Sequence, residues 1–205
     1  MCSSDLQCGV LTDDRLDNDQ TLLQLNRIAL SYARAGVDII APSGMMDGMV
    51  QSIRSTLDQA HFHQVLIMSY AVKYASDLYG PFKHAAGSVS AVVSDRKHHQ
   101  MNPAQRKEAL REATLDVQEG ADFLMVKPAA HYLDIVSQLR EQFQLPLVAY
   151  HVSGSYMMTK YGAEKGLFNE KEAFYEIYLC MKRAGSDLII SYYAKEMAQF
   201  LKECM

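Results

Sequence analysis

Gly120-Ala121-Asp122-Phe123-Leu124-Met125-Val126-Lys127-Pro128 is the stretch on which the rest of the chain turns. Four consecutive apolar residues, Phe123 to Val126, predict a strand buried on both faces. Lys127 then stands at the strand's C-terminal end, and Pro128, with no amide hydrogen, stops the ladder behind it. In parallel α/β folds that end of a strand is where reacting groups collect. A lysine amine set among apolar neighbours loses hydration of its charged form, which lowers its pKa and frees it as a nucleophile. Lys73, just beyond an apolar run at 65–69, has the same placement.

Working outward, helical and strand patterns alternate. The spacing predicts helices over about 20–35, 47–60, 102–119, 131–142, 156–165, 170–184 and 194–203. Strands are predicted over about 37–42, 65–69, 123–126, 147–152 and 187–191. Residues 1–19 read as polar and irregular. Residues 79–100, rich in Gly, Ser and Ala, read as a long loop with a short helix at its start, the kind that covers a site. Ser153-Gly154 reads as loop, and Asn102-Pro103 as a helix cap. One pattern recurs: Ala35-Gly36-Val37-Asp38, Glu119-Gly120-Ala121-Asp122 and Ala184-Gly185-Ser186-Asp187 each close a helix and open a strand. A repeated helix–strand unit predicts a parallel sheet or barrel. Ser69 with Lys73, Lys127, His151 with Ser153, and Tyr192 gather at strand ends, as on the C-terminal face of a (β/α) barrel.

The 205 residues allow one domain, and 49% apolar with 21% charged residues is ordinary globular composition. A net charge of −4 argues against a nucleic-acid partner. No apolar run approaches the roughly 18 residues of a membrane span, and the first residues lack a signal-peptide core. Cys2, Cys8, Cys180 and Cys204 make no disulfide framework, so the expected compartment is a reducing cytoplasm.

Six motifs stand in register along the chain: Ala41-Pro42-Ser43 with Met46-Asp47-Gly48; Met68-Ser69-Tyr70 with Lys73; Tyr79-Gly80-Pro81-Phe82; Met125-Val126-Lys127-Pro128 with Tyr132-Leu133-Asp134-Ile135-Val136; Tyr150-His151-Val152-Ser153-Gly154; and Arg183-Ala184-Gly185. Together they resemble the porphobilinogen synthase (5-aminolevulinate dehydratase) family. The resemblance runs from about Cys8 to Lys202. It implies a (β/α)8 TIM barrel of the aldolase type that condenses two 5-aminolevulinate molecules to porphobilinogen in tetrapyrrole synthesis.

By that resemblance, Lys127 forms the Schiff base to the propionate-side substrate and Lys73 to the acetate-side one. Arg96 and Gln100 would bind the acetate-side carboxylate, and Ser153 and Tyr192 the propionate-side one. Lys83 stands where the family has Arg, keeping the charge and losing the bidentate fork. Zinc-type members use three cysteines near the stretch matching Cys8-Gly9-Val10-Leu11. Here Cys8 alone matches, so Zn²⁺ is not expected. Glu112 matches a glutamate that binds an allosteric Mg²⁺ between subunits in other members. No organic cofactor is implied, and a homo-oligomer of the octamer type is. The chain resembles the C-terminal two-thirds of the family, without its N-terminal arm and first three barrel strands. A non-catalytic remnant that associates with full-length subunits, and a different Schiff-base lyase of aldolase type, are the competing functional readings.

Overall fold

Three glycines at helix ends set the geometry of the chain. Gly36, Gly120 and Gly185 have φ of 88°, 100° and 113°, a left-handed region in which a side chain would be strained. Each stops a helix and turns the chain into a strand, as the repeated motif predicts. The computed structural model describes residues 9–13, 15–85 and 99–203, the side chains of Lys83 and His84 excepted. These form two compact units, residues 9–75 with 99–125 and residues 76–85 with 126–203.

The first unit opens with a hairpin, β1 (Val10–Thr12) paired antiparallel with β2 (Arg15–Asp17). Asp17 then caps α1 (Asn18–Arg34), its carboxylate accepting from the Gln20 amide at 3.0 Å. After β3 (Ile39–Ile40) and α2 (Met49–Gln59) comes β4 (Leu66–Lys73), which pairs parallel with β3. The unit is completed by α4 (Arg106–Gln118) and the start of β5 (Phe123–Lys127), in the strand order β3-β4-β5. Its core includes Val50, Ile53, Leu57 and Ile67, all at most 1% exposed.

The second unit begins with a 3₁₀ turn (Asp77–Tyr79) running into α3 (Gly80–Ala85). The end of β5, α5 (Leu133–Gln142), β6 (Leu147–His151), α6 (Ser153–Glu164), α7 (Glu170–Arg183), β7 (Leu188–Ser191) and α8 (Ala194–Glu203) follow, in the strand order β5-β6-β7. β6 and β7 pair parallel, Val148 against Leu188 through His151 against Ser191. Phe174, stacked on Tyr193 at 3.8 Å between ring centroids, anchors an aromatic core with Tyr178, Met181 and Met197. The alternation of helices with parallel strands is the α/β architecture of the barrel expected from the sequence.

Five expectations are corrected. Residues 10–12 and 15–17 pair as a hairpin, not an irregular segment. Lys73 is the last residue of β4 rather than a residue beyond it, because Tyr74 bridges to Met101 and the Met101 amide donates to the Lys73 carbonyl at 3.0 Å. Asn102-Pro103 makes a separate turn, Asn102 Oδ1 accepting from the Ala104 amide, and the helix starts at Arg106. Ser153-Gly154 is the first turn of α6, not loop, and Ser69 lies inside β4 rather than at its end.

Candidate active site

Each unit carries one of the two lysines at a strand end. In the first, Lys73 is 6% exposed and its Nζ donates to the Ser43 carbonyl, in the loop after β3. The Tyr70 ring centroid lies 5.8 Å from the amine. Ser69, fully buried, donates its hydroxyl to Asp116 on α4. Burial pushes the Asp116 carboxyl up to about 6, helped by Glu119 and Glu112 and opposed by the Ser69 hydrogen bond.

The segment that ladders onto the end of β4 also places Gln100, 7% exposed, on the wall of a polar cavity of about 280 Å³. Asp47, Glu108 and Glu112 share that wall. Burial pushes the Glu112 carboxyl up against the pull of Arg111, and the like charges of Asp47, Glu108 and Glu119 add to the rise. The structure thus groups Gln100, expected at a substrate carboxylate, with the candidate metal ligand Glu112. Carboxylate oxygens suit a hard cation. Among the described residues, however, no three or more His, Cys, Asp or Glu converge as a metal site. Cys8 and Arg96 lie outside the described residues, as does the side chain of Lys83.

In the second unit Lys127 ends β5, half-buried behind Leu124, Met125 and Val126, which are fully buried. Its amine lies 4.1 Å from the Tyr150 ring centroid and 5.4 Å from that of Tyr79. Tyr79 also donates its hydroxyl to the Lys127 carbonyl at 3.1 Å. The lysine is therefore flanked by aromatic faces, whose negative quadrupole holds a cation. Burial, with Tyr192 alongside, pushes the Tyr150 hydroxyl up to about 12, so it stays protonated.

Ser153 is buried at the start of α6, where its hydroxyl accepts from the Phe82 amide at 3.2 Å and donates to the Leu78 carbonyl at 3.5 Å. The hydroxyl expected at a carboxylate is here tied to the 3₁₀ turn and α3. Gly154 permits that approach, since a Cβ there would fall 2.5 Å from the Leu78 carbonyl oxygen. Tyr192 is 44% exposed, beside Tyr150 and 5.7 Å from the Tyr156 ring. Sequence reasoning missed Tyr79 and Tyr150 as the walls around Lys127. Tyr150 had a signal, lying one residue before His151 in a strand, on the opposite face.

Strand-end lysines on a parallel β/α repeat define a protein of the β/α-barrel class. A family model described as delta-aminolevulinic acid dehydratase matches residues 2–200, and the chain belongs to that family. The delta-aminolevulinic acid dehydratases of Halalkalibacterium halodurans and Bacillus subtilis are each 55% identical over 196 residues, 96% of this chain and 60% of theirs. That of Escherichia coli is 53% identical over 192 residues, 94% of this chain and 59% of its own. The solved Toxoplasma gondii enzyme, in complex with the reaction product porphobilinogen, superposes with a TM-score of 0.94 at 46% identity, covering 96% of this chain and 56% of that one. The chain spans about 60% of the length of these curated relatives.

Proposed function

We propose that this chain carries the Schiff-base lysines of a 5-aminolevulinate dehydratase, a lyase that joins two 5-aminolevulinate molecules into porphobilinogen with loss of two waters. The observation that carries the proposal is Lys127 at the end of a buried strand, its amine against the Tyr150 and Tyr79 rings. In this reading the Lys127 amine adds to the substrate ketone, and water leaves as the carbon–nitrogen double bond forms. The iminium then acidifies the neighbouring C–H, which readies that carbon for bond formation. Lys73 serves the second substrate in the same way, and Gln100, Arg96, Lys83, Ser153 and Tyr192 hold the carboxylates. Tyr79 and Tyr150 keep the cationic imine positioned through their ring faces.

The experiment is borohydride trapping with 5-aminolevulinate and peptide mapping of the reduced adduct. The expected result is one main adduct, on Lys127. Equal labelling of Lys160, which is ion-paired with Glu170, and of the exposed Lys171 would sink the assignment. A homo-oligomer and a cytoplasmic location belong to the same proposal, supported by family membership and by the lack, among the described residues, of a helix long and apolar enough to cross a membrane. A Mg²⁺ ion at Glu112 is proposed only with oxygen donors from beyond the described residues; Mg²⁺ should then raise the melting temperature, and Glu112→Gln should remove that rise.

A further inference from the structure

β6 has two working faces. Tyr150 turns toward Lys127, and the next residue, His151, turns to the opposite side of the sheet. There it borders a cavity of about 430 Å³ whose walls include Ser155, Phe168, Ile177, His131 and Glu176. That volume falls within the roughly 300–1,000 Å³ of small-molecule sites.

His151 is fully buried, with its ring set edge-on to Phe174 and Tyr178 at 5.9 and 5.5 Å between centroids. Among the described residues neither of its ring nitrogens has a hydrogen-bond partner, and neither does the Ser155 hydroxyl, on a residue 5% exposed. Buried polar atoms are ordinarily paired, since leaving one unpaired costs about 1–3 kcal/mol. A histidine that served only as core packing would be replaced by an apolar ring at no such cost. Two unpaired groups bordering one cavity point instead to a partner inside it.

The chemistry of the walls selects that partner. Burial, with His131 adding to it, pushes His151 down to about 4, so the ring is neutral at pH 7 and offers one donor and one acceptor. Among the described residues no Lys or Arg lines the cavity, and the one carboxylate that does, Glu176, is exposed to water. An anion would meet no counter-charge, and a cation would give up its hydration for one solvated carboxylate.

We propose that this cavity binds a small neutral organic molecule, an apolar ring bearing a hydroxyl, with the hydroxyl bonded to His151 and Ser155. The site is separate from the lysine chemistry and does not depend on it. Its test uses three probes of one shape on the 205-residue chain: 1-naphthol, naphthalene and 1-naphthoate. Binding is followed by calorimetry and by the imidazole ¹⁵N resonances of His151. 1-Naphthol is expected to shift those resonances and to bind at least tenfold tighter than either other probe. Ser155→Ala, which leaves the His151 packing in place, should reduce that binding about tenfold. Equal affinity for naphthalene, unmoved His151 resonances, or undiminished binding in folded Ser155→Ala would each overturn the site. The probe series on the parent chain decides the matter even if the variant does not fold.

Discussion

Lys73 and Lys127 both end a parallel strand, yet they meet different surroundings. Lys73 is almost fully buried and gives a hydrogen bond to the Ser43 carbonyl. Lys127 is half-buried and faces two aromatic rings. A carbonyl grips an N–H, and forming an imine removes N–H groups from the nitrogen. A ring face attracts positive charge, which a protonated imine retains. The second environment is therefore better matched to the iminium than the first, and imine chemistry should favour Lys127.

The most damaging change to that comparison is Lys127→Ala, which should abolish the main borohydride-trapped adduct. Lys73→Ala should leave the adduct on Lys127 with reduced yield. Tyr150→Leu removes the nearer ring and should lower the yield several-fold, since a partly desolvated cation–π contact is worth about 1–2 kcal/mol. If Tyr150→Leu traps as fully as the parent chain while Lys73→Ala does not trap at all, the two lysines have been ranked the wrong way round.

The units also differ in how their buried ionisable groups answer to pH. Asp116 in the first holds a proton up to about 6 against an ordinary 3.8, so between those values the folded state binds a proton that the unfolded state has lost. Its contribution to stability falls as pH rises through that window. His151 in the second drops from 6.5 to about 4, so there the unfolded state binds the extra proton and stability rises with pH. Each effect is about 3 kcal/mol in scale, and in the parent chain they oppose each other between about pH 4 and 6. Urea melts at pH 4 and pH 6 should show Asp116→Asn gaining stability relative to the parent as pH rises, and His151→Phe losing it. The same sign for both variants would refute the contrast.

What could be read from the sequence follows from how local each feature is. The glycine turns, the buried strand at 123–127 and its terminal lysine rest on contiguous residues, and all three are found. The first hairpin has only three residues per strand, with Arg15 and Asp17 among them, too short and polar for a clear alternation. The full length of β4 depends on Met101, 28 residues past Lys73, which no local pattern reports. Ser153-Gly154 looked like loop because glycine breaks helices. Its glycine serves instead the close approach of Leu78, a contact 76 residues distant in sequence. Tyr79 reaches Lys127 by the same long return.

The smallest predicted effect tests what the repeated Gly-x-Asp does. Asp122 and Asp187 each make a pair of bonds to the strand beside them. The Asp122 amide donates to the Ile67 carbonyl at 2.9 Å while Asp122 Oδ2 accepts from the Ile67 amide at 2.8 Å. Asp187 repeats this with Leu147, at 2.7 and 2.8 Å, and adds an ion pair to Arg140. The carboxylate thus satisfies the amide at the start of its neighbour strand, an otherwise open end of the ladder. Asp38 holds the same place in the motif but, among the described residues, offers only its backbone carbonyl, to Leu66 at 2.9 Å. Hydrogen bonds to charged groups are worth about 1.5–3 kcal/mol, and partial exposure brings these toward the low end. Asp122→Ala and Asp187→Ala should each cost about 1–2 kcal/mol in urea unfolding, Asp187→Ala the more because its ion pair with Arg140 is lost as well. Asp38→Ala should cost under about 0.5 kcal/mol, as exposed substitutions do. If all three cost the same, the aspartate is there for the turn after the glycine, and the clip to the neighbouring strand adds nothing.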